Sequence, residues 1–431
     1  MGTHNSARKT QLAVCIGKEG LPVGNLAYVR EGAREYSAFV YSQDWLRHPA
    51  RFAVSPDLPL GPGHQVRKRI SKEDSCFFLA LADTEPDAWG RRVIARAHAR
   101  ERKANPALKA LTELDYLCGV DDFSRVGALR LRDDRGTFLR TAGQGRQTAP
   151  PLLELERIFE ASRAVERSQE SAEDLNYLLG KGTSLGGMRP KCTVVDADGT
   201  LALGKFPSVN DERSVTRGEV LALRLARQAG IETPNARIVM VKGTPVAVIS
   251  RFDRTAEQGR IAYLSAASLL QATRNEEHSY TEVVDAMRMV CAETKADARQ
   301  LWRRLVFNHL ITNVDDHLHN LGFLYAGKGL WRLAPAFDIN PFPDKDRESK
   351  TWLTEDTGPI TDVDTLLEKS GCFHLSASEA RAVMREVHGA IRRWRSLAMS
   401  AEVGLTPVEV EDFAPAMEHS EMEMAYALST Q

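Results

Sequence analysis

The stretch Phe307-Asn308-His309-Leu310-Ile311-Thr312-Asn313-Val314-Asp315-Asp316-His317-Leu318-His319-Asn320 decides how the rest of the chain is read. Its apolar first half has the spacing of a helix end. From Asn313 to Asn320 it crowds two carboxylates, two imidazoles and two amides into eight residues. Flanking apolar segments hold this polar run against a core. Burying so many polar groups is costly unless they have partners or a task.

Three readings compete for these residues: a solvated loop, a transition-metal site with Asp and His ligands, and a phosphoryl-transfer loop. Spacing favours the third. Asp315 and Asn320 are five residues apart, as are the base and the metal-binding amide of the kinase catalytic loop H-R-D-x-x-x-x-N. A carboxylate can take the acceptor's hydroxyl proton. A neutral amide oxygen can ligate Mg²⁺ without adding negative charge beside phosphates. An expected hairpin at about 321–334 then leads to Leu333-Ala334-Pro335-Ala336-Phe337-Asp338. This puts a second carboxylate where the kinase D-F-G aspartate holds metal. Here the run is Asp338-Ile339-Asn340, without the glycine.

Upstream, three features fit a nucleotide site, though each has a plainer reading. Gly182-Thr183-Ser184-Leu185-Gly186-Gly187-Met188-Arg189-Pro190-Lys191 can present backbone N–H groups and two cations to phosphate, or be a flexible turn before a strand. Lys205 lies in the apolar strand pattern Leu201-Ala202-Leu203-Gly204-Lys205-Phe206, so its ammonium needs an anionic partner. Glu219 opens the next helix, where it can pair with that lysine or simply favour the helix dipole. These signals, in the chain order of a kinase, outweigh any one of them.

The chain has 431 residues, with 43% hydrophobic and 27% charged residues, which suits two or three packed units. Lys+Arg (57) nearly balances Asp+Glu (58), giving no global charge for nucleic acid or membrane. Two arginine-rich segments, Arg91 to Lys103 and Arg381 to Arg395, read as solvated helix faces, with DNA contact in a complex as the rival. Six scattered cysteines form no CxxC pair, and no apolar run has the length of a membrane span. The expectation is a cytoplasmic protein with reduced thiols.

Hairpin patterns at 11–30 and 238–249, and strands near 35–41, 126–131 and 200–206, mix with helices at 75–103, 108–120, 152–168, 172–179 and 218–229. Beyond Ser265 the pattern is mainly helical: 265–273, 279–291, 295–313, 361–369, 377–398 and 407–427. The fold expected is α+β, bilobal and protein-kinase-like, with a mixed α/β N-terminal region and a mainly α-helical C-terminal lobe. The expected division is 1–140 (accessory α/β subdomain), 141–254 (nucleotide-binding lobe) and 255–431 (helical catalytic lobe).

These residues together resemble the HipA-like serine/threonine kinases, toxins of type II toxin–antitoxin modules. The resemblance rests on Pro86 to Arg92, Phe123 to Ala128, Ser184 to Lys191, Gly204 to Pro207, Arg251 to Arg254, Asn313 to Asn320 and Pro335 to Pro341. It implies Asp315 as catalytic base, Asn320 and Asp338 as Mg²⁺ ligands, and Lys205, oriented by Glu219, on the ATP phosphates. It further implies Gly186, Gly187, Met188, Arg189, Pro190 and Lys191 bordering those phosphates, His317 beside the nucleotide, and Ser250, Arg251 and Phe252 at the adenine hinge. Ser184 matches the serine whose autophosphorylation inactivates such kinases. The implied partners are a HipB-like helix-turn-helix antitoxin, DNA only through it, and a protein substrate such as an aminoacyl-tRNA synthetase. Two positions depart from the pattern: Ser250 stands where the hinge often has Glu, and Asp316 where a small residue is common.

Other readings stay open on sequence. One is a kinase-fold regulatory or corepressor protein acting mainly through an antitoxin–DNA complex. Another is a kinase of a lipid or small molecule. The third is a metal hydrolase using Asp315, Asp316, His317 and His319.

Overall fold

The computed structural model describes residues 8–32, 34–69, 71, 74–140, 150–181, 187–273 and 276–430. The chain divides into two compact units. The first comprises Met1–Gly204, Asp253–Leu264 and Gly327–Gly329; the second comprises Lys205–Phe252, Ser265–Ala326 and Leu330–Gln431.

The first unit opens on the expected hairpin, β1 (Arg8–Ile16) and β2 (Leu21–Glu31), antiparallel with Leu12 opposite Leu26. Gly17 and Gly20 take positive φ in its turn, which costs glycine nothing. β3 (Arg34–Tyr41), β4 (Gln65–Lys68) and β5 (Leu129–Arg132) complete a five-stranded sheet in the order β4-β3-β2-β1-β5. Alternation puts Leu12, Val14, Leu26, Tyr28, Phe39 and Tyr41 in the core. α1 (Gln43–Arg47) is a short turn capped by Ser42.

The single helix expected over 75–103 is two: α2 (Leu79–Ala82) and α3 (Ala88–Ala104). Pro86 precedes Asp87, whose carboxylate caps α3 by accepting from Gly90 N at 2.7 Å, so the second helix starts afresh there. α4 (Glu113–Gly119), α5 (Leu155–Glu166), α6 (Ala172–Lys181), β6 (Lys191–Val195) and β7 (Leu201–Lys205) follow.

In the second unit, α7 (Val215–Gln228) precedes the hairpin of β8 (Ala236–Val241) and β9 (Thr244–Ser250). Lys242 and Gly243 both have positive φ, as a two-residue turn between twisted strands requires. β10 (Tyr263–Ser265), which begins in the first unit and ends in the second, leads to α8 (Ala266–Leu270), α9 (Tyr280–Val290) and α10 (Thr294–Leu310). The hairpin β11 (Gly322–Gly327) and β12 (Leu330–Leu333) and the short pair β13 (Trp352–Thr354) and β14 (Gly358–Pro359) interrupt the helices. The remainder is α11 (Val363–Glu368), α12 (Ala377–Ile391), α13 (Trp394–Ala398), α14 (Pro407–Met417) and α15 (Ser420–Thr430).

Here too the long helices expected over 377–398 and 407–427 are each broken once. Glu418 adopts an extended cap between α14 and α15, a local change that periodicity does not register. The core of this unit is aromatic, with Trp302, Phe307, Phe323, Phe373, Trp394 and Phe413 almost fully buried. Each contributes roughly 1.5–3 kcal/mol of transfer free energy. α10 threads this core, so the loop leaving its C-terminus starts from a fixed point.

Candidate active site

β7 is buried at every position, so its terminal Lys205 places an ammonium in the interior. Lys205 Nζ lies 2.5 Å from Glu219 Oε1 and 2.7 Å from Asp338 Oδ1. Glu219 sits in the second turn of α7 with a side chain only 5% exposed. Burial opposes the lysine's charge, but the Asp338 and Glu219 carboxylates prevail and hold its pKa above the ordinary lysine value. The charged partner required of Lys205 is therefore present twice over.

Asp338 has φ +55°, a left-handed conformation that Asp tolerates better than most residues. The turn that lacks the motif's glycine is thus taken by the aspartate itself. Asn340 Nδ2 lies 3.4 Å from Asp338 Oδ1, while Asn340 Oδ1 is buried without a hydrogen-bond partner among the described residues.

α10 ends at Leu310, three residues before the helix end expected from sequence, because Thr312 turns left-handed at φ +53°. Thr312 Oγ1 donates to Ala416 O at 3.1 Å and pins the turn. Asn313 then joins the two motif segments: its Nδ2 donates to Asn308 Oδ1 at 3.1 Å, and its Oδ1 accepts from Asn340 N at 3.3 Å.

The neighbouring carboxylates Asp315 and Asp316 have opposite surroundings. The Asp316 side chain is buried and accepts from Tyr280 Oη at 2.7 Å and from Lys350 N at 2.7 Å. Burial pushes its pKa up to about 6, with the Tyr280 and Lys350 donors pulling the other way. Burial, and then the nearby Asp316 charge, raise the Tyr280 phenol, so Tyr280 remains a donor. Asp315 is 40% exposed and pairs with the Lys350 ammonium, with His317 Nε2 at 3.9 Å. Burial lowers the His317 pKa, against the raising effect of Asp315. His317 and His319 meet edge to face at 5.9 Å.

Asn320 ends a 3₁₀ turn, Leu318–Asn320, and its Nδ2 donates to Asp315 O at 2.7 Å. With the amide nitrogen bound to the loop, the amide oxygen is the end left for a ligand. Asp316, His317, Asn320, Phe337 and Asp338 are among the residues lining a pocket of about 430 Å³. An aspartate oxygen and an amide oxygen suit a hard cation such as Mg²⁺. Among the described residues, no group of three or more His, Cys, Asp or Glu side chains is placed to hold a metal. The hydrolase reading counts Asp316 among its ligands, and both of its oxygens already accept, from Tyr280 and from Lys350.

Other expected residues lie elsewhere or out of view. Ser184 and Gly186 are outside the described residues. In the first unit, Gly187 has φ +92°, and a side chain there would meet Lys191 Nζ at 2.7 Å. Lys191 is 2% exposed and lies 3.2 Å from Asp87 Oδ2, Met188 is exposed, and Pro190 is buried. Arg189 is intermediate in exposure. In the second unit, Ser250 N donates to Asn235 O at 2.8 Å, Arg251 is buried, and Phe252 packs against Phe337 at 5.3 Å.

The arginine-rich segments form many intramolecular contacts. Arg91 bonds Glu85 and Glu113, Arg96 bonds Glu170, and Arg395 bonds Glu411 and Glu418. Sequence reasoning missed Tyr280 and Lys350, which lie 36 and 34 residues from their partner Asp316. No local pattern marks either. A lysine between Ser349 and Thr351 looks like ordinary surface.

Comparison with known proteins follows the same lines. Residues 183–394 match the family model described as the HipA-like C-terminal domain. Provisionally named kinases are similar to the chain. One, Y4mE of Sinorhizobium fredii, is 25% identical over 74% of this chain and 75% of its own length. A second from that organism, Y4dM, is 29% identical over 44% of this chain and 49% of its own. One from Haemophilus influenzae is 23% identical over 38% and 55%. The chain thus spans about half the length of two of these relatives and three quarters of the third. Among solved structures, the Shewanella oneidensis MR-1 HipA, solved with HipB and operator DNA, shares the fold. It has a TM-score of 0.65 at 15% identity, covering 97% of this chain and 96% of that one. The region bearing Lys205, Glu219, Asp315, Asn320 and Asp338 therefore lies within the match to the HipA-like C-terminal domain, in a mixed α/β chain that shares the fold of the HipA structure.

Proposed function

We propose that this chain is a Mg-ATP-dependent serine/threonine-protein kinase of HipA type. The observation that carries the reading is the Lys205 ammonium held between Glu219 and Asp338. A buried cation fixed by two carboxylates can release one of them to phosphate while the other keeps it aimed. In this reading Glu219 is the fixed partner, and Asp338 is the one that turns to metal.

Asp338 and Asn320 would hold Mg²⁺, which supplies charge compensation to the phosphates when bound. Asn320 is oriented for this by its bond to Asp315 O. Asp315, the more exposed of the adjacent carboxylates, would take the proton of the acceptor hydroxyl. A bond then forms from that oxygen to the γ-phosphorus as the bond from phosphorus to the ADP oxygen breaks. Asp316 holds the loop. His317 lines the same pocket and would lie beside the nucleotide. Residues 250–252 would meet the adenine, and Gly186 to Lys191 would border the phosphates, with Ser184 as the autophosphorylated residue.

The partners follow from the same likeness: a HipB-like antitoxin, DNA only through it, and a protein substrate such as an aminoacyl-tRNA synthetase. The test is a phosphoproteomic comparison of cells expressing wild type and Asp315→Asn. Serine or threonine phosphosites dependent on Asp315 support the proposal and name the substrate. Identical phosphoproteomes from an active wild type, with a phosphorylated lipid or metabolite instead, would move the chain to a non-protein kinase.

A further inference from the structure

Lys350 belongs to none of the motifs that identify the site, yet it contacts both carboxylates of the catalytic loop. Its backbone N–H donates to buried Asp316 Oδ1 at 2.7 Å, and its ammonium pairs with Asp315 Oδ1. The residues beside it fix that geometry. Thr351 Oγ1, buried, donates to Asp316 O at 2.8 Å. Ser349 Oγ donates to Thr351 O at 2.6 Å and accepts from Ile360 N at 2.7 Å. The backbone at 349–351 is thus held to the loop, and only the lysine side chain reaches out to Asp315.

Stability does not explain this reach. Lys350 is 57% and Asp315 40% exposed, and an ion pair so wet adds about 0–1 kcal/mol to folding. The arrangement around Asp315 is more informative. Lys350 Nζ and His317 Nε2, at 3.9 Å, both approach the same oxygen, Oδ1. A carboxylate engaged through Oδ1 leaves Oδ2 as the atom that can receive a proton.

We propose that Lys350 is a positioning residue for Asp315, fixing the carboxylate so that Oδ2 faces the acceptor hydroxyl. The inference rests on Asp315 being the base of a kinase. During transfer the hydroxyl proton passes to Asp315 Oδ2, the acceptor oxygen bonds to the γ-phosphorus, and ADP leaves with the electrons of the broken P–O bond. Lys350 touches neither nucleotide nor phosphorus in this assignment. Its removal therefore affects the chemical step and not ATP binding.

The experiment compares the full chain with Lys350→Met and Lys350→Arg. It measures steady-state ADP formation from Mg-ATP with a serine-containing peptide as acceptor, nucleotide affinity by titration, and thermal unfolding. Lys350→Met is expected to lower kcat about 10- to 100-fold, the scale of a small misplacement of a reacting group. KM for ATP should stay within about twofold and Tm within about 2 °C, as loss of an exposed pair allows. Lys350→Arg should restore most of kcat. A Met variant with wild-type kcat, equal losses in Met and Arg, or a loss that follows KM or Tm would overturn the assignment. A wild type that neither binds Mg-ATP nor forms ADP from it would remove the kinase reading and this inference with it. An active wild type with an equally active Met variant would remove only the inference.

Discussion

Asp315 and Asp316 show how much two identical side chains can differ one residue apart. Asp315 is half-exposed and faces Lys350 and His317, whereas Asp316 is buried against Tyr280 and the Lys350 backbone. Asp315→Asn should therefore reduce phosphoryl transfer by at least about 10²-fold while Tm hardly moves, checked by ADP formation and thermal unfolding. Asp316 should instead register in stability. Its pKa is raised to about 6, so between pH 4 and 6 the folded chain retains a proton that the unfolded chain gives up. Its contribution is most favourable below that window and is lost as pH rises through it, by on the order of 3 kcal/mol in total. Urea unfolding should thus show wild type losing stability relative to Asp316→Asn from pH 4 to pH 7. A constant difference across that range would show that Asp316 does not titrate there.

Among the elements, α7 matters most because it carries Glu219 to Lys205. Gly218, just before Glu219, faces the Phe413 ring of α14, and a Cβ there would approach the ring to 2.8 Å. Gly218→Ala should cost about 1–3 kcal/mol through overpacking, read by denaturant unfolding. Because the helix must shift to relieve it, ATP affinity should fall as well. Unchanged affinity at reduced stability would mean that Phe413 alone yields. The hairpins at 8–31 and 236–250 were legible in sequence because their alternation and turn glycines are local signals. The breaks at 83–87, 392–393 and 418–419 were not. At 392–393 and 418–419 the apolar spacing continues on both sides and only capping and packing reveal the interruption, whereas at 83–87 the local signal of Pro86 and Asp87 was outweighed by the apolar stripe.

For the whole molecule, ligand linkage gives the broadest test. A ligand at 100 times its Kd stabilises the folded state by about 2.7 kcal/mol, which should raise Tm by several degrees. Mg²⁺ with ATP should do this, and either alone should do less. Asn320→Ala or Asp338→Ala should erase the Mg²⁺-dependent part, checked by thermal shift with and without the metal. Asp338→Ala has a second effect, since it takes one of two carboxylates from the Lys205 ammonium. Its apo form should also be less stable than that of Asn320→Ala. Among the described residues no helix is long and apolar enough to cross a membrane, and all six cysteines are free.

The amino-acid order alone supplied the fold class, most of the longer strands and helices, and the candidate set Lys205, Glu219, Asp315, Asn320 and Asp338. These were legible because short-range spacing encodes them: five residues from Asp315 to Asn320, a lysine ending an apolar strand, a glutamate near the start of the next helix. Folding settled what spacing could not carry. It gave Lys205 two carboxylate partners instead of one, set two adjacent aspartates in opposite surroundings, and brought Tyr280 and Lys350 to them from more than 30 residues away. The physical reason is that burial and long-range hydrogen bonds depend on which segments meet, and no local pattern records that meeting.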